Sequence, residues 1–227
     1  MALIYDLARF AESGMKAMQG AQRDWSPYLV HFTQAASLKS VQGLFDGLYT
    51  DPKRVKQCLD YADRESSKIA AKIITSGALR AFPIKGKETN SCVCFSECTL
   101  PGLFGHSERF GRFGFVFEKS YIFSLGGRPM AYVDGDAYGW LKTCHEKDST
   151  ANRIWRFSNV YCPVGSGKVQ DFTIEREWRV FDNVSLGDKL RAVIVPNVYI
   201  GQVGRLLQDH SIEAPILPID MLYDWGV

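Results

Sequence analysis

The repeat of apolar positions changes partway along this chain. Up to about residue 77 they recur at three- and four-residue intervals, and from about residue 91 they alternate or run in short blocks between glycine-containing turns. Ile4, Leu7, Ala8, Ala11, Met15 and Met18 fall on one face of an amphipathic helix predicted over residues 1–20. A strand is expected at about 28–32, where Tyr28-Leu29-Val30 runs into His31, Phe32 and Thr33, followed by a short helix in "AASLKSVQGLF". Asp51-Pro52 offers an N-cap and a first-turn proline. Val55, Cys58, Leu59, Ala62, Ile69, Ala70, Ile73 and Ile74 then keep helical spacing up to a C-capping Gly77. Six strands are expected beyond it, in "SCVCFS", "RFGFVFE", "RPMAYV", "DFTIEREWRVF", "LRAVIVP" and "APILPI", with a helix "YIGQVGRLLQD" between the last two. The pattern predicts an α+β fold with a mainly helical N-terminal half and a mostly antiparallel sheet in the C-terminal half.

Length and composition add bounds. The 227 residues, with no repeat, low-complexity tract or Pro/Ser-rich linker, are expected to form a single domain over 1–227. No apolar run approaches the roughly 20 residues that span a bilayer. Asp6, Arg9 and Glu12 interrupt the N-terminal stretch, so it reads as neither a secretory signal nor an anchor. The expectation is a cytoplasmic protein without a membrane partner.

That location makes a disulfide framework from Cys58, Cys92, Cys94, Cys98, Cys144 and Cys162 unexpected. Cys92, Cys94 and Cys98 form C-x-C-x-x-x-C with His106 downstream, which raises zinc binding. Zinc knuckles instead space their cysteines C-x-x-C to wrap a turn around the metal. Two cysteines two apart on a strand share one face, and buried strand cysteines are the reading preferred here, with no metal site.

The net charge of +2 hides a segregation. Residues 53–87 carry nine basic and three acidic side chains, leaving the rest of the chain acidic. Such a segment is either a solvated helix face or a platform for a polyanion such as nucleic acid, neutralising its phosphates.

No G-x-G-x-x-G, Walker A, G-x-S-x-G or H-E-x-x-H motif is present. In "DFTIEREWRVF", alternation puts Thr173, Glu175, Glu177 and Arg179 on one strand face and Phe172, Ile174, Trp178 and Val180 on the other. The polar face is either exposed or lines a cleft, with one carboxylate working on a ligand and an arginine as its partner. "CFSECTLPGLFGHSERFGRFGFVFEK" holds Ser96, Glu97, His106, Arg109 and Arg112 among glycines and aromatics. In "GGRPMAYV", Arg128 directly precedes a strand.

"YLVHFTQAASLKSVQGLF" resembles the opening of DarT-like ADP-ribosyltransferases, in which a strand ends in H-x-T before a helix with spaced leucines. "EREWRVF" is similar to their late strand, where a glutamate precedes an aromatic, and "CVCFSECTLPGLF" to the intervening strand and turn. Over roughly 28–200, "CFSE", "FGRFGFVFEK", "GGRPMAYV" and "EREWRV" also resemble the AbiGi and related abortive-infection proteins of bacterial phage defence.

The resemblance implies an ADP-ribosyltransferase-like fold and NAD as cofactor, with His31 and Thr33 on its ribose and nicotinamide parts. Phe95 and Ser96 would stand beside the nicotinamide; Phe95 departs from the tyrosine or serine usual there. Glu177 would be the catalytic carboxylate, with Glu175 the runner-up or a substrate-orienting acid. Arg54, Arg109, Arg112 and Arg128 are each candidates for a cofactor phosphate. It further implies a toxin or effector acting on nucleic acid, RNA or DNA, with a cognate antitoxin as partner. Two rivals remain: a non-catalytic antitoxin or interaction component, and a metal-dependent nucleic-acid enzyme built on Asp171, Glu175 and Glu177. The transferase reading requires His31 and Glu177 to face one crevice.

Overall fold

The strand that opens on Tyr28, β1 (Tyr28–Phe32), lies inside a sheet and is flanked on both sides. The structure, a computed structural model, describes residues 26–33, 52–84, 87–99, 102–103, 106–107, 110–161 and 176–221. The helices expected over 1–20 and in "AASLKSVQGLF" lie outside them.

The described chain continues with α1 (Pro52–Ser76), β2 (Ala78–Leu79), β3 (Phe82–Ile84), β4 (Lys87–Ser96), β5 (Gly114–Glu118) and α2 (Lys119–Ser124). Next come β6 (Arg128–Pro129), β7 (Ala131–Val133), α3 (Gly135–Cys144), α4 (Ser149–Arg156) and β8 (Ser158–Val160). The last elements are β9 (Glu177–Val180), β10 (Val184–Ser185), β11 (Leu190–Val195), α5 (Ile200–Asp209) and β12 (Ile216–Pro218). The fold is α+β. Among the described residues its main sheet has eight strands in the order β12-β11-β5-β1-β4-β9-β6, with β3 on β4. Every pairing in it is antiparallel except β11 with β12.

The middle strands are apolar on both faces because both are covered. In β5 all of Gly114, Phe115, Val116 and Phe117 are buried. One face, with Leu29, Phe95, Phe115 and Val193, packs against Ala70 and Ile74 of α1, Ile122 of α2, and Val203 and Leu207 of α5. The other gathers Val30, Phe32, Val116, Ala192, Ile194 and Leu217. α1 earns its place through one seam: Cys58, Ala62, Ser66, Ala70 and Ile74, each four apart, are buried, while Lys53, Lys56, Arg64, Lys68 and Lys72 stay exposed. Gly77 ends it at φ +67°, its N–H donating to the Ile74 carbonyl at 3.0 Å, as expected of a C-capping glycine. Asp51 lies outside the described residues.

The expected division into halves needs correction, because α2, α3 and α4 fall between residues 119 and 156. The strand expected in "RPMAYV" is also split at Met130: β6 pairs with β9, and β7 pairs in parallel with β8 in a separate two-stranded sheet. Among the described residues no helix is long and apolar enough to cross a membrane.

Candidate functional site

β1 and β4 meet at a single register pair, Val30 opposite Ser96, and then part. A cavity of about 720 Å³ opens where they diverge. Its walls are the end of β1, the face of β4, Glu177 at the start of β9, the last turns of α1, and the segment 78–82. β9 pairs with β4 so that Ser96 stands opposite Glu177 and Cys94 opposite Arg179. Glu177 is therefore two strand spacings from Val30, about 10 Å, on the face of Val30 and Ser96; His31, next along β1, alternates to the other face with Phe95, and the two border one space only because β1 and β4 part there. His31, Thr33, Phe95, Ser96 and Glu177 all line this one space.

His31 is half-buried and aimed at the gap. Its Nδ1 lies 2.8 Å from the Cys94 carbonyl oxygen, which only accepts, so Nδ1 carries the proton in this contact. Burial pushes its pKa below the ordinary histidine value, and the Cys94 carbonyl works against that shift. The neutral ring so favoured leaves Nε2 as an acceptor. Phe95 meets the imidazole edge-on, with centroids 5.9 Å apart. Thr33 ends the strand through N–H donation to the Phe113 carbonyl at 2.9 Å. Its side chain is 1% exposed, and among the described residues its Oγ1 has no hydrogen-bond partner. A buried, unmatched hydroxyl on a cavity wall costs stability unless something in the cavity meets it.

On the facing strand, the Glu177 carboxylate is gripped by Arg179, with Nε to Oε1 at 2.7 Å and Nη2 to Oε2 at 3.0 Å. The two residues share a strand face, as their spacing predicts. Arg179 is 6% exposed and also reaches the Arg156 carbonyl oxygen at 3.5 Å. Burial disfavours its charge, but the Glu177 carboxylate outweighs that and raises its pKa. A forked arginine uses one lone pair on each carboxylate oxygen, so Glu177 keeps acceptor capacity toward the cavity.

The remaining candidates separate. Arg128 is not on the cavity wall: its guanidinium lies 3.8 Å over the Phe123 ring and donates to the Phe123 and Gly127 carbonyls at 3.0 and 2.6 Å. Arg112 pairs with Asp63 and, at 2.7 Å, with Asp220 beside a second, smaller cavity of about 400 Å³. Arg54 begins α1 with its side chain outside what is described, and Arg109, Asp171 and Glu175 lie outside the described residues. Among the described residues, the cations at the main cavity are Lys72 and Arg80, both exposed, with exposed Phe82 beside them. Sequence reasoning passed over both, although each lies in the basic 53–87 segment.

Glu97 is a brace. It is 8% exposed and accepts from Lys119 Nζ at 2.8 Å, Trp178 Nε1 at 3.2 Å, the Ser26 N–H at 3.3 Å and Arg176 Nη2 at 3.5 Å. His106 stacks on Phe110 at 5.8 Å. Cys92 and Cys94 share a face of β4 and both line the cavity, with their sulfurs 3.5 Å apart. Among the described residues no three His, Cys, Asp or Glu side chains are grouped to hold a metal. No protein-family model, no curated protein and no solved structure matches the chain.

Proposed function

We propose that the chain is an NAD-dependent ADP-ribosyltransferase, a toxin or effector of bacterial phage defence that modifies nucleic acid. One observation carries the reading: His31, Thr33, Phe95, Ser96 and Glu177, remote along the chain, line a single cavity where β1 and β4 part. Its volume of about 720 Å³ suits a ligand of dinucleotide class. The unmatched Thr33 hydroxyl and the acceptor Nε2 of His31 are groups a ribose or a carboxamide would meet. Lys72 and Arg80 offer opposite charge to a pyrophosphate, a role expected earlier of Arg128 among others.

NAD supplies an ADP-ribosyl group on nicotinamide, a good leaving group, so no second carboxylic acid is needed. Glu177 stabilises the positive charge that develops at the ribose as that bond breaks, and orients the incoming nucleophile. Arg179 fixes the carboxylate in place. Phe95 and the apolar wall keep water from the reacting carbon. The exposed cations of α1 favour a polyanionic acceptor.

The Arg179 fork favours a second reading, because a carboxylate already occupied on both oxygens suits a non-catalytic binding module or antitoxin. Labelled NAD incubated with separate pools of RNA, single-stranded DNA and protein decides between them. Transfer to a nucleic-acid pool, lost in Glu177→Gln, supports the enzyme. No transfer and no nicotinamide release, with harmless expression that neutralises a neighbouring gene product, supports the antitoxin.

A further inference from the structure

The strand face that carries Glu177 to the cavity wall also brings two thiols there. Cys92, Cys94 and Ser96 occupy successive same-face positions of β4, and Cys94 stands opposite Arg179 across the strand pair. The Cys92 and Cys94 sulfurs are 3.5 Å apart and both residues line the cavity. Cys58, Cys98 and Cys144 are free thiols elsewhere. We propose that Cys92 and Cys94 are a redox-responsive dithiol that a hydroperoxide, entering through the cavity, converts to a disulfide.

The two thiols are unequal. The contact between the two sulfurs, in which either can be the donor, lowers the Cys92 pKa against its burial, with Arg179 and Arg156 also favouring its thiolate and Glu177 opposing it. The same contact and burial raise that of Cys94, which stays a thiol. The Cys92 thiolate attacks the peroxide; an S–O bond forms, the O–O bond breaks, and the departing alkoxide or hydroxide takes a proton. Cys94 then attacks the sulfenic sulfur. The S–S bond forms, the S–O bond breaks, and hydroxide leaves with the Cys94 proton as water. In total one hydroperoxide is reduced by two electrons to an alcohol (or to water, for hydrogen peroxide), and the sulfenic oxygen leaves as one water.

Residues i and i+2 of a strand hold their Cα atoms about 6.5–7 Å apart, at the upper limit for a disulfide. The bond therefore draws the 92–94 backbone together and is readily reduced, the property of regulatory rather than structural disulfides. The Cys94 carbonyl holds His31 at 2.8 Å, so the closing backbone loosens the imidazole on the cavity wall. This last consequence, a redox brake on dinucleotide binding, rests on the reading proposed above; the dithiol chemistry does not.

The test treats the full-length protein with hydrogen peroxide and reads intact mass, peptide map and NAD binding by calorimetry. Wild type should lose two hydrogens in a Cys92–Cys94 cross-link that dithiothreitol reverses. Cys94→Ser should stop at a dimedone-reactive sulfenic acid on Cys92, and Cys92→Ser should give none on Cys94. No cross-link, or identical behaviour of the two variants, overturns the proposal. Where reduced protein binds NAD, oxidation should weaken binding about tenfold, the worth of one lost hydrogen bond. The Cys92→Ser/Cys94→Ser variant should bind NAD with peroxide-indifferent affinity. A cross-link without any effect on NAD binding would overturn the brake. A cross-link in a protein that never binds NAD would sink the transferase reading while leaving the dithiol intact.

Discussion

Glu177 and Arg179, two residues apart on β9, close a fork of bonds at 2.7 and 3.0 Å, and the carboxylate so held faces the cavity shared with His31. Brace and catalyst make different predictions. On the proposed transferase reading, Glu177→Gln should lower NAD turnover by roughly 10²–10⁴-fold, and it should lower the melting temperature as well, since a buried guanidinium loses its counter-charge. Glu177→Leu with Arg179→Met replaces the pair by apolar groups of similar volume, which often recovers stability. A double variant that melts like wild type but stays inactive assigns the carboxylate to chemistry. Turnover that returns with the melting temperature assigns it to support alone.

His31 links stability to pH. Its folded pKa is lowered by burial, so the unfolded chain binds the proton more readily. The stabilisation is full above the unfolded value near 6.5 and is lost as pH falls from there through the folded value. The limiting slope for one proton is about 1.4 kcal/mol per pH unit. Asp63 has the opposite sense: burial raises its pKa despite Arg112, so its share is gained as pH falls through the raised value and is full below the unfolded one near 3.8. His31→Asn keeps a donor near the Cys94 carbonyl and removes the titration. Denaturant midpoints of the two proteins should diverge below pH 6.5 and run parallel above it.

Much of the frame is legible in the chain because long periodic segments override local noise. α1 announces itself through apolar positions four apart, and β1, β5 and β11 through apolar blocks between turns. The two helices at 135–156 are not legible that way. They are short, Gly135 and Gly139 read as turn residues, and their starts rest on single caps: Asp134 accepting from the Asp136 and Ala137 N–H groups, and Asp148 from that of Ala151. The split of "RPMAYV" depends on distant partners, the Glu177 carbonyl for Met130 and the Phe157 carbonyl for Ala131. In the site, strand alternation puts Glu177 and Arg179 on one face with Glu175, and only the resemblance to the transferases singles out Glu177. Which cations stand at the cavity depends on where α1 ends against the sheet, so Lys72 and Arg80 went unnoticed while Arg128, held over Phe123, looked available.

Lys72 and Arg80 should act through charge alone. Reversing either, Lys72→Glu or Arg80→Glu, should leave the melting temperature within error, because both are exposed. The KM for NAD should rise about 2–5-fold per site at low salt, the worth of an exposed ion pair. Raising ionic strength to about 1 M shrinks the Debye length to ~3 Å and should erase the difference. A defect that persists at high salt would mean the substitution distorts the cavity. No defect at any salt would remove these cations from the proposed dinucleotide site.

Glu97 carries the last expectation. It joins segments that no local pattern connects: the Ser26 backbone before β1, Lys119 at the start of α2, and Arg176 and Trp178 at β9. Its own N–H donates to the Arg176 carbonyl at 3.1 Å, and Arg176 sits at φ +44°, immediately before Glu177. The carboxylate therefore sets where β9 begins against β4. Glu97→Ala removes the buried carboxylate that Lys119, Trp178, Ser26 and Arg176 share, at a cost of about 3–5 kcal/mol. Glu97→Gln keeps an acceptor for the Trp178 indole and should cost less, though it too loses the charge. Urea melts followed by tryptophan fluorescence give both values. The Gln variant should also keep Glu177 in register and hence most of its NAD turnover. Turnover as low as in Glu177→Gln at temperatures where Glu97→Gln is fully folded would make Glu97 part of the chemistry and not its scaffold.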